Sequence, residues 1–410
     1  MTKNENESIT EPGTKIEELC ETLTARGYRI KFLGFSAIDM YLGMPPLPFS
    51  WLETDADIAV LARHADNLRF PGVEIADGAA DTTNGIYPNE TCYFRCFDEY
   101  EQEQYSFPLL SFSYNWKTRR FNDPLGVYPL LREIRSKRKF LIPASFWTAT
   151  SSGDTSKSNR NRIIMDGALL MARYGLAKDS VFTRLATTPP NSSLPGPETQ
   201  RAFLSCLLVS PRPEFGLGLL KRTGFLDEVW PELACFSEVD HSKEFHPEGN
   251  VWNHTLETFQ YRKPGSNGAY DLRLSLALLL HDMGKPISVS FGNNRFDGHA
   301  ELGARAAARF LERLGFEASL VQDIYYLVKN HMLPAALKRL PIVKTAEIMA
   351  SPLFPTLMEL YRCDESSSFK GLDGYHENSA AYQTYLKNLK NPYRSADGKK
   401  IRKREMLFNR

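Results

Sequence analysis

The sequence has no long hydrophobic run and no targeting segment. Its longest strongly apolar run, Leu274–Leu280, is far shorter than the roughly 20 residues that a membrane-spanning helix needs. The start of the chain, Met-Thr-Lys-Asn-Glu-Asn-Glu, contains no apolar core of the kind that secretory signal peptides have. We therefore expect a cytoplasmic protein that has no membrane partner.

The sequence also lacks an excess of charge of one sign. Lysine and arginine number 50 and aspartate and glutamate 49, which gives a net charge of +1. A global basic coat for nucleic acid is thereby excluded, so any nucleic-acid contact must come from local patches. The six cysteines lack the paired spacing of a zinc finger, and we interpret them all as reduced thiols: Cys20, Cys92, Cys96, Cys206, Cys235 and Cys363.

The length and the pattern along the chain predict several domains. At roughly 100 to 200 residues per domain, 410 residues make about two to four domains. Residues 1–13 are polar and are predicted to be disordered, and a helical pattern begins near Ile16. Strand-like runs separated by turn signals then predict a mixed α/β domain over 14–148; the runs lie at 30–33, 58–61, 92–97 and 109–116. A loop-like stretch covers 150–161, and helical spacing dominates after it.

The strongest chemical signal is a His-Asp pair, His281 and Asp282, that closes an apolar helix. His281 follows Leu274, Ala277 and Leu278 at i, i+3, i+4, i+7 spacing, which places its imidazole on the buried stripe. An unpaired polar group buried there costs a few kcal/mol, and a bound metal would satisfy it.

The same spacing places other polar groups on buried stripes in this region. His331 follows Ile324, Leu327 and Val328, and Asp364 follows a similar stripe. For any one of these histidines the alternative is a hydrogen-bonded core residue. Taken together they predict a site for a divalent transition metal or magnesium, with the ligands His254, His281, Asp282, His299, His331 and Asp364.

The order His…His-Asp…Asp resembles that of the HD phosphohydrolase superfamily, over about Phe245 to Asp364. The resemblance implies an all-helical domain with a bound divalent metal that activates water for attack on phosphorus. It also implies that Lys285 holds a substrate phosphate. HD domains differ in whether they use the extra positions that His299 and His331 occupy.

A second candidate site lies near the N-terminus. Gly34 follows a strand and opens a helix, and Asp55-Ala56-Asp57 is expected to precede the strand at 58–61. Backbone N–H groups of the glycine turn and the Ser36 hydroxyl can hold phosphate. Alternation along a strand puts both carboxylates on one side, as metal-assisted nucleotidyl transfer requires. Alone, an Asp-x-Asp pair is more often a surface turn.

The combination resembles the bacterial tRNA nucleotidyltransferase and poly(A) polymerase family, the CCA-adding enzymes. The family's head motif, G-G-x-V-R-D-x-x-L-G followed by D-x-D, is matched at Gly34, Ser36, Asp39, Leu42 and Gly43 and then at Asp55 and Asp57. Similarity continues through Asp123-Pro124-Leu125-Gly126, a neck-like stretch from Leu207 to Leu233, His254-Thr255-Leu256 and Arg362-Cys363-Asp364. It covers roughly residues 16–375.

The departures from the family concentrate in the head. Phe35 and Ile38 replace a glycine and an arginine, and 104–110 lacks the family's R-R-D cluster. The helix that carries the family's nucleotide-binding arginines has none in register. Because arginine forks bind triphosphate, nucleotide selection should be weaker. The nearest candidates are Arg160, Arg162 and Arg173. Residues 46–54 are interpreted as an insertion.

The resemblance implies an α/β nucleotidyltransferase-like head followed by an all-α neck and an all-α HD domain. The implied boundaries are 14–148 for the head, 160–240 for the neck, 245–375 for the HD domain and 376–410 for a C-terminal tail. The implied activity is Mg²⁺-dependent transfer of nucleotides from ATP or CTP to the 3′ end of an RNA, with tRNA as the expected partner and Asp55 and Asp57 as catalytic ligands. The alternative is a metal-dependent phosphohydrolase or phosphodiesterase with a degenerate head.

Overall fold

The computed structural model describes residues 15–56, 60, 63, 73–76, 91–96, 106–137, 160–175, 194–240, 249–290, 296–368, 371–391, 393–396 and 398–400. The chain forms two compact units. The first contains a sheet and its helices, and the second is helical. The predicted fold class, an α/β head followed by all-α parts, is confirmed. None of the described helices is long and apolar enough to cross a membrane.

The first unit is built on a six-stranded mixed sheet of order β3-β4-β2-β1-β5-β6. Its strands are β1 (Ile30–Leu33), β2 (Phe49–Thr54), β3 (Val73–Ala76), β4 (Thr91–Cys96), β5 (Ser113–Asn115) and β6 (Arg120–Asn122). β2 pairs parallel with β4 and antiparallel with β1. Its helices include α1 (Lys15–Ala25), α2 (Gly34–Leu42) and α3 (Tyr128–Lys137). The α2 helix starts directly after β1, and its Tyr41 packs edge-on against Phe112 and Phe121.

Two of the four predicted strands are corrected. The strand expected over 58–61 is wrong, because Val60 is helical; Ile58, Ala59 and Leu61 lie outside the described residues. The strand that leads into Asp55 is instead β2, which occupies the stretch interpreted as an insertion. β2 lies between β4 and β1 and is buried on both faces, so it lacks the alternating polarity that marks a half-exposed strand.

The segment predicted as a strand over 109–116 is in part a short 3₁₀ helix. Residues Pro108–Ser111 form that helix, and only Ser113–Asn115 pair as β5. Pro108 lies at its first turn, where the missing N–H costs nothing. The loop predicted over 150–161 also ends early, because Arg160 and Asn161 belong to α4 (Arg160–Tyr174); 150–159 and the predicted disordered residues 1–13 lie outside the described part.

The remaining described helices have helical spacing as predicted. They are α5 (Pro197–Leu208), α6 (Pro213–Arg222), α7 (Phe225–Val229), α8 (Pro231–Ala234), α9 (Val251–Thr258), α10 (Leu272–Leu280), α11 (Gly284–Ser290), α12 (His299–Arg313), α13 (Ala318–Asn330), α14 (Ile342–Met349), α15 (Phe354–Ser366) and α16 (Asp373–Leu389). The tail expected from residue 376 begins inside α16, so its first part is helical.

Side-chain caps fix where the two helices that lead to the first histidines begin. Asn250 caps α9 by accepting a hydrogen bond from the Asn253 N–H at 2.9 Å. Asp271 caps α10 through bonds from the Arg273 and Leu274 N–H groups at 2.7 and 3.2 Å. Each cap satisfies N–H groups that a helix start leaves unpaired, and so sets the position of each helix.

Two glycines let the backbones of α11 and α12 touch. A Cβ atom on Gly284 would collide with the carbonyl oxygen of His299 and would lie 2.6 Å from the nitrogen of Gly303. A Cβ on Gly303 would lie 2.9 Å from the nitrogen of Gly284. This approach places the start of α12 next to the turn that follows α10.

Candidate functional site

The six side chains predicted as metal ligands converge in the helical unit. His254 lies within α9, His281 and Asp282 follow the end of α10, and His299 begins α12. His331 caps the C-terminus of α13, and Asp364 lies in α15. Five of the six residues are buried, and the Asp364 side chain is 26% exposed. The structure therefore brings residues more than a hundred positions apart into one cluster.

Asp282 lies at the centre of this cluster and presents one carboxylate oxygen to each side. Its Oδ2 is 3.3 Å from Nε2 of His281 and 3.9 Å from Nε2 of His254. Its Oδ1 is 3.6 Å from Nε2 of His299 and 3.9 Å from Nε2 of His331. Asp282 forms one group of three with His254 and His281 and another with His299 and His331, and in each group the ligand atoms are close enough to share a metal ion. Asp364 closes the first side, with Oδ1 3.0 Å from Nε2 of His254.

Backbone carbonyl groups fix the orientation of three of the four imidazoles. The Nδ1 atoms of His281, His299 and His331 lie 2.9, 2.8 and 2.7 Å from the carbonyl oxygens of the residues three positions earlier. A carbonyl only accepts, so each Nδ1 carries the proton and donates it. Each Nε2 atom is then the one with a free lone pair, and it faces the cluster.

The distances between these ligand atoms fit a bound metal. Nε2 of His299 and Nε2 of His331 lie 3.1 Å apart, and two bare lone pairs at that distance repel each other. Two nitrogens that are each about 2.1 Å from one ion, at roughly a right angle, stand about 3 Å apart. Among the described residues, the buried Nε2 of His281 has no hydrogen-bond donor or acceptor in bonding geometry, although Oδ2 of Asp282 lies 3.3 Å away. Imidazole and carboxylate ligands together suit a divalent transition metal.

Burial and neighbouring charges together favour the protonation states that bind a metal. Burial, with nearby His281, lowers the pKa of His331 to about 3. Burial also lowers the pKa of His299. Burial raises the pKa of Asp282, but His281 and Lys285 outweigh it and hold that pKa well below its ordinary value. Two neutral imidazoles and an ionised carboxylate are the forms that bind metal.

Lys285, the predicted phosphate-binding residue, lies at the edge of the cluster. Its Nζ is 2.6 Å from Oδ2 of Asp282, and its side chain is 12% exposed. The ammonium group therefore already neutralises part of the Asp282 charge. Its role toward a phosphate stays a prediction.

In the sheet unit, Asp55 lies directly after β2 and is held by Arg29. Its Oδ1 accepts a hydrogen bond from the Arg29 N–H at 2.6 Å, and its Oδ2 lies 2.9 Å from Nε of Arg29. Burial raises the pKa of Asp55, but the hydrogen bonds from Arg29 outweigh it and lower that pKa below its ordinary value. Asp57 lies outside the described residues. The carboxylate of Asp55 is ionised, as a magnesium ligand must be.

The glycine turn makes structural hydrogen bonds. The Gly34 N–H donates to the carbonyl oxygen of Phe112 at 2.9 Å, and Gly34 has φ +48°. The Ser36 hydroxyl oxygen accepts from the Trp51 N–H at 2.9 Å. The Gly34 N–H is thus used within the fold by Phe112, the residue before β5, and the nucleotide-binding role of Gly34 stays a prediction. The Ser36 hydroxyl keeps its proton for another acceptor, and its nucleotide role stays a prediction.

The three predicted nucleotide-binding arginines lie at the two ends of α4. Arg160 and Arg173 are buried, whereas the Arg162 side chain is 63% exposed and lies 3.8 Å from Asp166. Within the described residues, none of the three pairs with Asp55. A contact between Tyr174 and Asp39, 2.6 Å long and buried, ties the end of α4 to α2. Sequence reasoning matched Asp39 to a motif but did not find this partner.

Comparison with known proteins identifies the domain that contains most of the clustered residues. Residues 251–353 match the HD domain family. The helical unit carries an HD domain. Five of the six clustered residues fall within the matched segment, and Asp364 of α15 follows it. The predicted resemblance to this domain is confirmed.

The chain is also similar to tRNA nucleotidyltransferases. A CC-adding tRNA nucleotidyltransferase of Thermus thermophilus is 36% identical over 179 residues, 42% of this chain and 40% of that protein. An A-adding tRNA nucleotidyltransferase of Deinococcus radiodurans is 34% identical over 150 residues, 34% of this chain and 33% of that protein. The matched segments thus span less than half the length of these curated relatives. The resemblance predicted from the motifs is confirmed.

Solved structures show a weaker likeness. The crystal structure of a Bacillus stearothermophilus CCA-adding enzyme in complex with CTP has a TM-score of 0.48 and 13% identity, and covers 92% of this chain and 85% of that one. A likeness at this level carries no functional argument.

Two residues near the candidate sites were not predicted from the sequence. Arg29 is brought to Asp55 by the pairing of β1 with β2, in which Ile30 faces Thr54. Ser367 contacts His254 across 113 positions. Neither stands out in the sequence, although the run Ser366-Ser367-Ser368, which begins at the last residue of α15, could have drawn attention as a helix end.

Proposed function

We propose that the protein is an RNA-processing enzyme that transfers nucleotides to the 3′ end of an RNA, with tRNA as substrate, and that its HD domain is a second, hydrolytic centre. The observation that carries the transferase proposal is the similarity to a CC-adding and an A-adding enzyme, in a chain whose central strand β2 is directly followed by Asp55. ATP and CTP are the proposed nucleotide substrates. We also propose that the protein acts in the cytoplasm.

The proposed transfer site consists of Asp55 and Asp57 at the end of β2. These carboxylates would hold Mg²⁺, which when bound activates the 3′ hydroxyl and offsets charge on the leaving pyrophosphate. Arg29 occupies both oxygens of Asp55, so it competes for the carboxylate and its guanidinium must yield or share an oxygen. Ser36, Arg160, Arg162 and Arg173 are proposed to contact the nucleotide.

The test of this proposal is incorporation of labelled CTP and ATP, separately and together, onto tRNA that ends before its CCA sequence, in the presence of Mg²⁺. We expect incorporation by the wild type and none by a variant carrying Asp55→Asn and Asp57→Asn. Well-folded wild-type protein that incorporates neither nucleotide would contradict the proposal and favour the alternative, a phosphohydrolase with a degenerate head.

The second proposed function, metal-dependent phosphohydrolysis, is favoured by the six converging side chains of the HD domain. His254, His281, Asp282 and Asp364 would hold one divalent ion, and His299 and His331 would add ligands on the far side of Asp282. A metal bound there would supply an activated water and would offset charge on phosphate oxygens. Lys285 is proposed to bind the phosphate.

The metal content of purified protein tests this second proposal. Replacing His281 and Asp282 by Ala removes two central ligands, so we expect the bound transition metal to be lost. A double variant with unchanged metal content would refute the proposed ligand set.

A further inference from the structure

Three consecutive serines, Ser366 to Ser368, follow the turn of α15 that carries Asp364. We propose that the middle one, Ser367, is a positioning residue that fixes the protonation and orientation of His254 for metal binding. This inference rests on the proposed HD metal centre and names a residue outside its ligand set.

The hydroxyl group of Ser367 makes two contacts in a buried position. Ser367 is 4% exposed and caps the C-terminus of α15. Its Oγ donates to the carbonyl oxygen of Asp364 at 2.7 Å. The same Oγ lies 3.3 Å from Nδ1 of His254. One hydroxyl thus joins the imidazole of one proposed ligand to the backbone of another.

The two contacts together place a proton on Nδ1 of His254. A hydroxyl has one hydrogen, and a carbonyl oxygen can only accept, so the hydrogen of Ser367 is used by Asp364. The contact with His254 therefore needs the proton on Nδ1. Oδ1 of Asp364, which can only accept, lies 3.0 Å from Nε2, so without a metal Nε2 also donates a proton there. A bound metal would take the place of that proton and leave the imidazole protonated on Nδ1. That is the tautomer a metal ligand needs.

Among the described Nδ1 partners of the four histidines, only Ser367 contributes a side chain. His281, His299 and His331 donate to backbone carbonyl groups, which no substitution of the accepting residue removes. The partner of His254 is a side chain. The tautomer of His254 can therefore be released by a single substitution, whereas those of the other three cannot.

The two neighbouring serines separate this role from simple helix capping. The Ser366 hydroxyl donates to the carbonyl oxygen of Arg362 at 2.7 Å, and the Ser368 hydroxyl donates to that of Glu365 at 2.9 Å. Each makes the same kind of carbonyl bond as Ser367. Within the described residues, neither contacts a histidine. Ser366→Ala and Ser368→Ala are thus matched controls for the loss of one such bond.

The test is a calorimetric titration of the full-length, tag-free, chelator-treated protein with Ni²⁺, an ion that suits imidazole ligands. We expect Ser367→Ala to weaken Ni²⁺ binding about 10- to 100-fold, the usual effect of losing an orienting partner. Ser366→Ala and Ser368→Ala should keep the wild-type Kd. Ser367→Thr retains the hydroxyl and should restore binding.

The melting temperature of the metal-free variants completes the test. We expect the melting temperatures of the three alanine variants to fall by similar amounts, because each variant loses one hydroxyl–carbonyl hydrogen bond. A wild-type Kd in Ser367→Ala, or equal losses of affinity in all three, would overturn the proposal. So would a metal-free melting temperature that falls much further for Ser367→Ala than for its neighbours. If the wild type itself does not bind Ni²⁺, both the proposed HD centre and this inference are refuted. If the wild type binds Ni²⁺ and Ser367→Ala binds it equally well, only this inference is refuted.

Discussion

At the scale of residues, the cluster in the HD domain is specified by where each donor atom points. Nδ1 of three imidazoles is bound to a carbonyl of the preceding helical turn, so each imidazole is oriented by its own helix end. The imidazoles so oriented turn their buried Nε2 atoms toward the carboxylate of Asp282, whose charge Lys285 partly neutralises. We propose that a divalent cation binds between these groups.

This burial predicts how the metal-free protein responds to acid. The pKa of His331 is about 3 in the folded protein and ordinarily about 6.5, so an unfolded chain takes up a proton that the folded protein refuses. The contribution of His331 to stability is thus fully present above pH 6.5 and is lost progressively as the pH falls toward 3, by up to about 1.4 kcal/mol per pH unit. Asp282, whose pKa is lowered, adds its own loss only below about pH 4.

Urea unfolding at pH 7 and pH 5 in the presence of chelator measures this effect. We expect His331→Asn to be less sensitive to the change of pH than the wild type. The exposed His376 provides a control, and His376→Asn should respond as the wild type does. An equal pH response in His331→Asn and wild type would show that His331 is not held neutral by burial.

The sequence was sufficient to predict which residues form the His/Asp cluster, but not which residues hold them in place. The i, i+3, i+4, i+7 stripes identify His281, His331 and Asp364, because helical spacing alone determines which side chains share the buried face. The contact of Ser367 with His254 depends on the packing of α15 against α9, and no local pattern encodes it. The pairing of Arg29 with Asp55 likewise depends on strand register.

At the scale of elements, the backbone contact between α11 and α12 controls the position of His299. Gly284 and Gly303 approach so closely that neither tolerates a Cβ without movement. His299 is the first residue of α12, so any separation of the two helices displaces its imidazole from Asp282. Helix existence was correctly predicted here from apolar spacing, whereas this contact needs the three-dimensional arrangement.

We predict that Gly284→Ala destabilises the protein by about 1–3 kcal/mol or more and lowers its metal content, because the added methyl group collides with the backbone of α12. Gly218→Ala is the matched control. A Cβ at Gly218 would lie 3.6 Å from Nη1 of Arg222, an ordinary contact distance, so alanine there should stabilise α6 by about 0.5–1 kcal/mol. Chemical denaturation and metal analysis check both. A Gly284→Ala protein with full stability and metal content would contradict the role of this contact.

The error at β2 has a physical cause. β2 is a central strand with both faces buried, so its sequence lacks a clear alternation of polar and apolar residues, and it was interpreted as an insertion. The true order is strand first and Asp-x-Asp afterwards. The strand β1, in which Ile30 and Phe32 are buried and Lys31 is not, shows the alternation of a half-exposed strand and was correctly predicted.

At the scale of the whole molecule, the chain combines two candidate sites in two compact units. One is a sheet that ends at Asp55, and the other is the HD cluster around Asp282. Fold class and both resemblances were predictable because they depend on motif order along the chain. The proposed domain boundaries stay predictions, as does the catalytic role of each site residue. We propose that the two sites carry out separate reactions.

The most direct test of that claim measures both activities in two single variants. Nucleotide incorporation onto tRNA and hydrolysis of a phosphomonoester are followed side by side in Asp55→Asn and Asp282→Asn. Each substitution removes one negative charge at one site and keeps the shape of the side chain. We predict that Asp55→Asn loses incorporation and keeps hydrolysis, and that Asp282→Asn loses hydrolysis and keeps incorporation. Loss of both activities in either well-folded variant would contradict the account.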